Sequence, residues 1–163
     1  MPNWCVNELT ITGPQSDREA CLAAVSSDES PLDFNSIKPY PEEYAELDRK
    51  WQEARLANPT GPFPTFKDGY NNGGYEWCTA NWGTKWNACR VQLEVPENTA
   101  YFSFETAWSP PTPVITALGA LYPTLTFKLH YWEGGAGYRG TLTVTRGKIT
   151  TDATYSYTGL RGG

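Results

Sequence analysis

Apolar and polar side chains alternate in four short segments of the chain, which is the pattern of strands with one buried face. In residues 6–12, Leu9 and Ile11 alternate with more polar neighbours, and a Gly-Pro pair follows the segment. The same period of two recurs in three further segments, residues 89–95, 99–106 and 124–133. The alternation therefore predicts four β-strands, and the second and third are close enough in sequence to form a hairpin.

Two other segments carry apolar residues at the spacing of a helix with one buried side. The first follows the Gly-Pro pair, with its stripe at Ala20, Leu22, Ala23 and Val25. The second follows "SPPTP", with its stripe at Ile115, Leu118 and Leu121. The predicted order is strand, helix, strand, strand, helix, strand. This is the order of the ferredoxin-like (split βαβ) α+β fold, an antiparallel sheet with two helices on one face.

A further hairpin is predicted beyond the fourth strand. "TLTVT" and "ITTDATYSYT" flank an "RGK" turn, so residues 138–158 extend the sheet or pack at its edge. With 163 residues, the chain suits a single domain, residues 1–163. Its predicted core comprises about residues 3–30 and 88–133, and residues 31–87 form a long insert between the first helix and the second strand.

The insert is too long for a structureless loop in a compact domain, so we expect elements of its own. Pro41 and an apolar stripe that includes Tyr44, Leu47 and Trp51 predict a helix that ends near residue 57. The Pro- and Gly-rich aromatic stretch that follows has the composition of a mobile lid or binding loop. An Ω-loop packed by its own side chains has the same composition, so both interpretations of residues 60–76, a mobile loop and a packed Ω-loop, stay open.

The segment "WCTANWGTKWNA", residues 77–88, concentrates aromatic and polar side chains where the insert joins the second strand. Indole rings bury a large area, so some of them are expected to pack against the ends and open face of a small sheet. Polar groups beside flat rings also suit binding, because such a surface stacks a base or holds the side chain of a partner. The candidate binding residues are Trp77, Asn81, Trp82, Lys85, Trp86, Asn87 and, in "TAWSPP", Trp108.

Composition excludes several classes of function. The chain has 18 acidic and 13 basic residues, a formal charge of -5, and no basic cluster, so we do not expect it to track a nucleic-acid backbone. It has no apolar stretch of membrane-spanning length and no signal-peptide pattern, which predicts a cytoplasmic protein whose four cysteines are reduced thiols. Their wide spacing gives no zinc motif, and no metal or cofactor site is predicted.

Catalytic chemistry has few candidates in this sequence. His130, the single histidine, lies in the middle of a predicted strand, and no serine or cysteine has the surroundings of an activated nucleophile. Glu76, Glu105 and Glu133 each lie near aromatic residues, and would serve as paired carboxylates only if two of them met in a cleft. A small hydrolase or nucleotide-modifying enzyme using these groups remains an alternative, and no catalytic residue is assigned.

Five blocks of the sequence stand out in order between residue 1 and about residue 140: "MPNWCVNELTITG", "FNSIKPYPEE", "WCTANWGTKWNA", "FETAWSPPTPVI" and "HYWEGGAGYRG". Together they resemble successive blocks of the YubB/Api92-like proteins. The resemblance implies a ferredoxin-like domain encoded on conjugative plasmids, bacteriophages and related mobile elements. That family has no established reaction, so the resemblance supplies no catalytic residues.

The non-catalytic composition and the mobile-element setting together predict an accessory protein that acts by binding, as an inhibitor or sequestering factor directed at a host defence component. The partner is either a host protein or a small nucleotide. A nucleotide would require Lys85, Arg90 or Arg139 to converge on its phosphate.

Two further alternatives involve nucleic acid. The protein would be a nucleic-acid mimic if the acidic face of the insert helix were its interaction surface, with Glu42, Glu43, Glu46 and Asp48. It would be a single-strand binder if the exposed sheet face stacked bases, although its acidity opposes that role. A homodimer is compatible with the predicted strand edges, and nothing in the sequence fixes the oligomeric state.

Overall fold

The computed structural model describes residues 3–159, and the two ends of the predicted domain, residues 1–2 and 160–163, lie outside them. The strands are β1 (Trp4–Thr12), β2 (Cys89–Glu94), β3 (Thr99–Ala107), β4 (Thr126–Glu133), β5 (Tyr138–Thr145) and β6 (Lys148–Ser156). The helices are α1 (Gln15–Val25), α2 (Phe34–Ile37), α3 (Glu42–Ala57), α4 (Gly74–Asn81) and α5 (Thr112–Leu121), with a 3₁₀ turn at Tyr70–Asn72.

All six strands form one sheet in the order β2-β3-β1-β4-β5-β6, and every pair is antiparallel. The order of the first four strands is that of the ferredoxin-like fold, so the predicted α+β architecture is confirmed. The C-terminal hairpin, β5 and β6, continues the sheet beyond β4. Of the two placements left open for this hairpin, the structure therefore shows sheet extension.

The alternation in the sequence separates the two faces of the sheet. Leu9, Phe102, Phe127 and Leu142 are fully buried, and the buried side chains of α1 and α5 join the same apolar core. Helix α5 approaches β5 closely, because a Cβ at Gly119 would lie 2.3 Å from a methyl group of Val144. We call the opposite face the open face. It carries Val6, Glu8 and Thr10 of β1, which are half-exposed.

The insert has the elements that its length requires. Its predicted helix is present as α3, and α2, the 3₁₀ turn and α4 accompany it. Helix α4 is an addition to the sequence-based prediction, which gave no helix at the start of "WCTANWGTKWNA". Its two leading glycines and its few buried positions obscure the helical pattern.

The Pro- and Gly-rich stretch of the insert folds back on α3. The rings of Trp51 and Phe63 stack 6.1 Å apart, and the Arg55 guanidinium lies 4.5 Å from the Phe63 ring centroid. At Gly69 a Cβ would lie 1.9 Å from the carbonyl oxygen of Tyr44, so only glycine permits this approach. These contacts pack the stretch against α3. Within residues 3–159, no helix combines the length and apolarity needed to cross a membrane.

Candidate binding site

Helix α4 and the turn after it position the tryptophan-rich segment. The turn needs glycine at position 83 for two reasons. The φ of Gly83 is 86°, and a Cβ at this position would lie 2.4 Å from the Pro113 ring. Ser109 donates a hydrogen bond to the Gly83 carbonyl oxygen at 2.6 Å, and Thr84 donates one to the Ala107 carbonyl oxygen at 3.0 Å. The turn is therefore tied to the end of β3 and the start of α5.

Trp82 and Trp77 anchor the insert on the core. Trp82 is 5% exposed, and its Nε1 donates a hydrogen bond to the Lys38 carbonyl oxygen at 2.9 Å. Its ring lies 5.4 Å from that of Trp77 in an edge-to-face arrangement, and 6.2 Å from that of Phe34. Tyr40 contacts both tryptophan rings. Both tryptophans thus take part in packing between the insert and the sheet.

The two predicted asparagines bind neighbouring parts of the insert. Asn81 accepts a hydrogen bond from Lys38 Nζ at 3.0 Å. Asn87 Oδ1 accepts one from the Phe34 backbone N–H at 2.8 Å, and its amide nitrogen donates to Asp33 Oδ1 at 2.6 Å. These bonds span more than 40 positions of sequence and hold α2 against the tryptophan-rich segment.

Lys85 lies between two exposed aromatic rings. Its Nζ is 5.0 Å from the ring centroid of Trp108 and 5.9 Å from that of Tyr75. Trp108 is 46% exposed and has a φ of 70°, which is rare for a side chain of its size. Its backbone is held there by hydrogen bonds from its N–H to the Asn3 carbonyl oxygen and from the Tyr138 hydroxyl to its own carbonyl oxygen. Lys85 and Trp108 are therefore brought together as a cation–π pair.

A cavity of about 390 Å³ opens beside this segment, and we call it the insert pocket. Four of the seven predicted binding residues line it: Trp82, Lys85, Trp86 and Asn87. The remaining walls are formed by carboxylates and phenols, mainly Glu29, Asp33, Asp48, Tyr40 and Tyr70. Trp77, Asn81 and Trp108 lie outside this lining. Trp77 packs against Trp82 and Trp108 against Lys85, whereas Asn81 binds Lys38, which does not line the pocket.

Hydrogen bonds fix two of the pocket carboxylates. Asp48 accepts one from the Tyr70 backbone N–H at 2.9 Å and one from the Tyr40 hydroxyl at 3.2 Å. Asp33 caps α2 by accepting from the Asn35 N–H at 2.8 Å. Asp48 therefore does not lie on a solvated acidic face of α3 with Glu42, Glu43 and Glu46, where the mimic hypothesis placed it.

The phenols and the thiol of the pocket are neutral near pH 7. Burial, reinforced by the charge of Asp48, raises the pKa of Tyr40. Burial also raises the pKa of Tyr70 to about 12 and that of the Cys78 thiol to about 11, so Cys78 is not a thiolate nucleophile. Three carboxylates against the single ammonium group of Lys85 leave an excess of negative charge among aromatic walls.

The carboxylates considered for catalysis are separated. Glu133 pairs with Cys5 and Glu105 pairs with Val6, so these glutamates project from opposite faces of the sheet. Glu133 is 2% exposed and accepts hydrogen bonds from the N–H groups of Gly135, at 2.7 Å, and Ala136.

The other two candidates are engaged or remote. Glu105 forms an ion pair with Arg90 at 2.6 Å on the open face, and Glu76 lies on α4 in the insert. His130 Nδ1 lies 3.0 Å from the Thr141 hydroxyl. Among residues 3–159, no group of three or more His, Cys, Asp or Glu side chains could hold a metal ion.

The three cations considered for a phosphate are likewise apart. Lys85 lines the insert pocket, Arg90 lies over the Trp4 ring at 5.3 Å, and Arg139 lines a different cavity on the open face. The structure therefore does not gather them around one phosphate.

The sequence-based analysis missed Asp33, Tyr40, Asp48 and Tyr70 as pocket residues. Asp33 caps α2, Tyr40 lies between α2 and α3, Asp48 lies on α3, and Tyr70 lies in the 3₁₀ turn. They meet only through contacts between elements. Local spacing holds no signal for them, except that Asp48 immediately follows Leu47 of the apolar stripe and so borders the docked side of α3.

The sheet order and the helices on one face define a ferredoxin-like protein with a large insert. Residues 81–158 match the family model described as "Ferredoxin-like domain in Api92-like protein", so the chain carries the domain of that family and the resemblance seen in its sequence blocks is confirmed. The match begins at Asn81 and leaves most of the insert outside it.

A solved structure shares the fold over nearly the whole chain. The crystal structure of a protein Api92 from Yersinia pseudotuberculosis has a TM-score of 0.63 at 12% sequence identity. The similarity covers 98% of this chain and 100% of that one. None of the curated proteins compared with the chain matches it.

Proposed function

We propose that this protein acts by binding a partner protein, and that the insert pocket receives an arginine or lysine side chain of that partner. The observation that carries this proposal is the composition of the pocket, in which carboxylates lie among aromatic rings. Carboxylates form charge-assisted hydrogen bonds with a guanidinium or ammonium group, and ring faces attract the same cations.

The fixed geometry of the pocket supports the proposal. Asp33 and Asp48 are held by hydrogen bonds from the protein, so they need little reordering when a ligand arrives. Trp86 is 38% exposed at the pocket, which gives an incoming side chain an aromatic surface to contact. Lys85 opposes a cationic ligand, but its Nζ lies against the rings of Trp108 and Tyr75, neither of which lines the pocket.

The identity of the partner follows from the mobile-element setting that the resemblance implies. In this proposal the protein is an inhibitor or sequestering factor of the host cytoplasm, and a basic surface of a host defence component is its target. The mimic alternative has weaker support, because Glu42 pairs with Arg49 and Glu46 pairs with Lys50 at 2.7 Å on α3.

A pair of peptides tests the proposed ligand chemistry. The first is a capped peptide with one arginine, and the second has citrulline at that position, which keeps the shape and removes the charge. We expect calorimetry to show weak binding of the arginine peptide and at least about tenfold weaker binding of the citrulline peptide. Equal affinity for the two peptides would contradict the proposal.

Matched protein variants locate the site. The triple variant Glu29→Gln, Asp33→Asn, Asp48→Asn keeps oxygen acceptors in the pocket and removes its three negative charges. The control variant Glu43→Gln, Glu53→Gln, Glu97→Gln changes the net charge equally at exposed positions. We expect arginine-peptide binding to be lost in the first variant and retained in the second. Equal loss in both would indicate a nonspecific charge effect.

A further inference from the structure

Charge is unevenly distributed along this acidic chain. All but two of its acidic residues precede Trp108, and the two exceptions are Glu133 and Asp152. The same C-terminal part contributes Lys128, Arg139 and Lys148 to β4, β5 and β6. These basic residues are scattered in sequence, but the sheet places their strands side by side.

The strand register shows which of these groups share the open face. Glu8 of that face pairs with His130, and Thr10 pairs with Lys128. The neighbouring pair on the same side is Trp132 with Arg139.

On the open face, side chains of β4, β5 and β6 lie next to one another, and none of those on β6 is acidic. Arg139 pairs with Tyr155, so Trp132, Arg139 and Tyr155 form a row across three strands. Glu133 is buried on the helix-covered side, and Asp152 pairs with Leu142, which is also buried there. Both acidic residues of the C-terminal part therefore lie off the open face.

This row borders a cavity of about 620 Å³. The cavity is lined by a guanidinium, an imidazole, three aromatic rings and a carboxylate. In that order these belong to Arg139, His130, Trp132, Tyr155, Tyr157 and Glu8. Its volume is within the range of pockets that bury a small organic ligand. Tyr155 is 58% exposed, so one aromatic ring is available for stacking.

We propose that this open-face cavity binds a nucleotide unit, with the base stacked on Trp132 or Tyr155 and the phosphate on Arg139. Stacking on aromatic rings accepts any base, and an arginine fork matches phosphate geometry. Glu8 lies on the strand beyond His130, across the cavity from the Tyr155 strand, and can accept a hydrogen bond from an exocyclic amino group. This arrangement favours adenine, cytosine or guanine over uracil.

The charge of the rest of the molecule limits the ligand to about one nucleotide. Strands β1, β2 and β3 contribute Glu8, Glu94 and Glu105 to the same sheet, so a long polyanion crossing it would meet negative charge. The site is distinct from the insert pocket and does not depend on the function proposed there.

Titration of the protein with AMP at low salt, followed by tryptophan fluorescence and calorimetry, tests this site. We expect AMP to bind, UMP to bind more weakly, and ribose 5-phosphate, which has no base to stack, to bind at least about tenfold more weakly than AMP. Absence of AMP binding at millimolar concentration would overturn the proposal, and so would equal affinity for AMP and ribose 5-phosphate.

Variants assign the binding to the cavity. We expect Arg139→Gln to weaken AMP binding at least about tenfold, and Tyr155→Ala about fivefold or more. Lys67→Gln removes an exposed cation of the insert and should leave AMP binding unchanged, as should Asp48→Asn in the insert pocket. Unchanged AMP binding in Arg139→Gln, or an equal loss in Lys67→Gln, would refute the site.

A nucleotide unit could come from a free nucleotide or from a nucleic-acid strand. An eight-nucleotide oligoadenylate distinguishes these two sources. We expect its affinity to lie within a few-fold of that of AMP. An affinity that rises steeply with strand length and falls steeply with salt would refute the limit of one nucleotide, because that behaviour belongs to a polyanion-tracking surface.

Discussion

Trp82 and Trp86 are four positions apart in one segment, and the structure predicts losses of stability of different size when each is replaced. Trp82 is 5% exposed, contacts several rings and donates a hydrogen bond to a backbone carbonyl oxygen. Replacing a buried tryptophan with alanine typically costs about 3–5 kcal/mol, and we expect this cost for Trp82→Ala. Trp86 is 38% exposed, so less apolar area is lost and no closed cavity forms. We expect Trp86→Ala to cost roughly 1–2 kcal/mol.

Urea unfolding followed by far-ultraviolet circular dichroism measures both free energies of unfolding without relying on tryptophan fluorescence. Trp82→Phe is the matched control, because it keeps an aromatic ring and removes the indole donor, and we expect a loss of roughly 1–2 kcal/mol. In the arginine-peptide assay, Trp86→Ala should weaken binding while the protein remains folded. Equal destabilisation by the two alanine variants, or a larger loss for Trp86→Ala, would refute the division of this segment into an anchor and a binding surface.

Three other substitutions test the structural roles assigned above. Asn87→Ala leaves the buried Phe34 N–H without its acceptor. We expect urea unfolding to show a free energy of unfolding lower by about 2–4 kcal/mol. A loss below about 0.5 kcal/mol would show that this bond does not hold α2 in place. Glu133→Gln replaces a carboxylate that accepts two backbone N–H bonds, so we expect a loss of about 1–3 kcal/mol in thermal or urea unfolding, and full stability would exclude this structural role. Burial raises the pKa of the Cys21 thiol from 9.0 to about 12, so the thiol keeps its proton to higher pH in the folded state than in the unfolded state. The contribution of this thiol to stability is therefore complete below pH 9. It falls by about 1.4 kcal/mol per pH unit as the pH rises from 9 towards 12. Cys21→Ala should flatten the pH dependence of unfolding in that window, and an unchanged slope would contradict the assignment.

The strands and the core were predictable from sequence because each depends on local periodicity. Leu9 and Ile11 are buried on the face that the alternation assigns them, and the two core helices and the C-terminal hairpin appear in the predicted order. Helix α3 follows from its apolar stripe for the same reason.

The candidate site was predictable only in part. The tryptophan-rich segment indicated where the insert meets the core, but not which of its rings is buried. Trp82 and Trp86 have the same chemistry, and their burial depends on Lys38, Phe34 and Tyr40, which approach from other elements. The carboxylate Asp48 joins the pocket through a contact with the Tyr70 backbone 22 positions away, which no local pattern encodes.

Indole resonances provide the most direct test of the insert pocket as the binding site. Each of the 7 tryptophans gives a separate Nε1–H signal in a nitrogen-15 correlation spectrum, and point variants assign these signals. On titration with the arginine peptide, we expect the largest shifts at Trp86 and Trp82, little change at Trp132 on the open face, and no comparable shifts with the citrulline peptide. Shifts that are largest at Trp132, or absent at Trp86, would contradict the central claim.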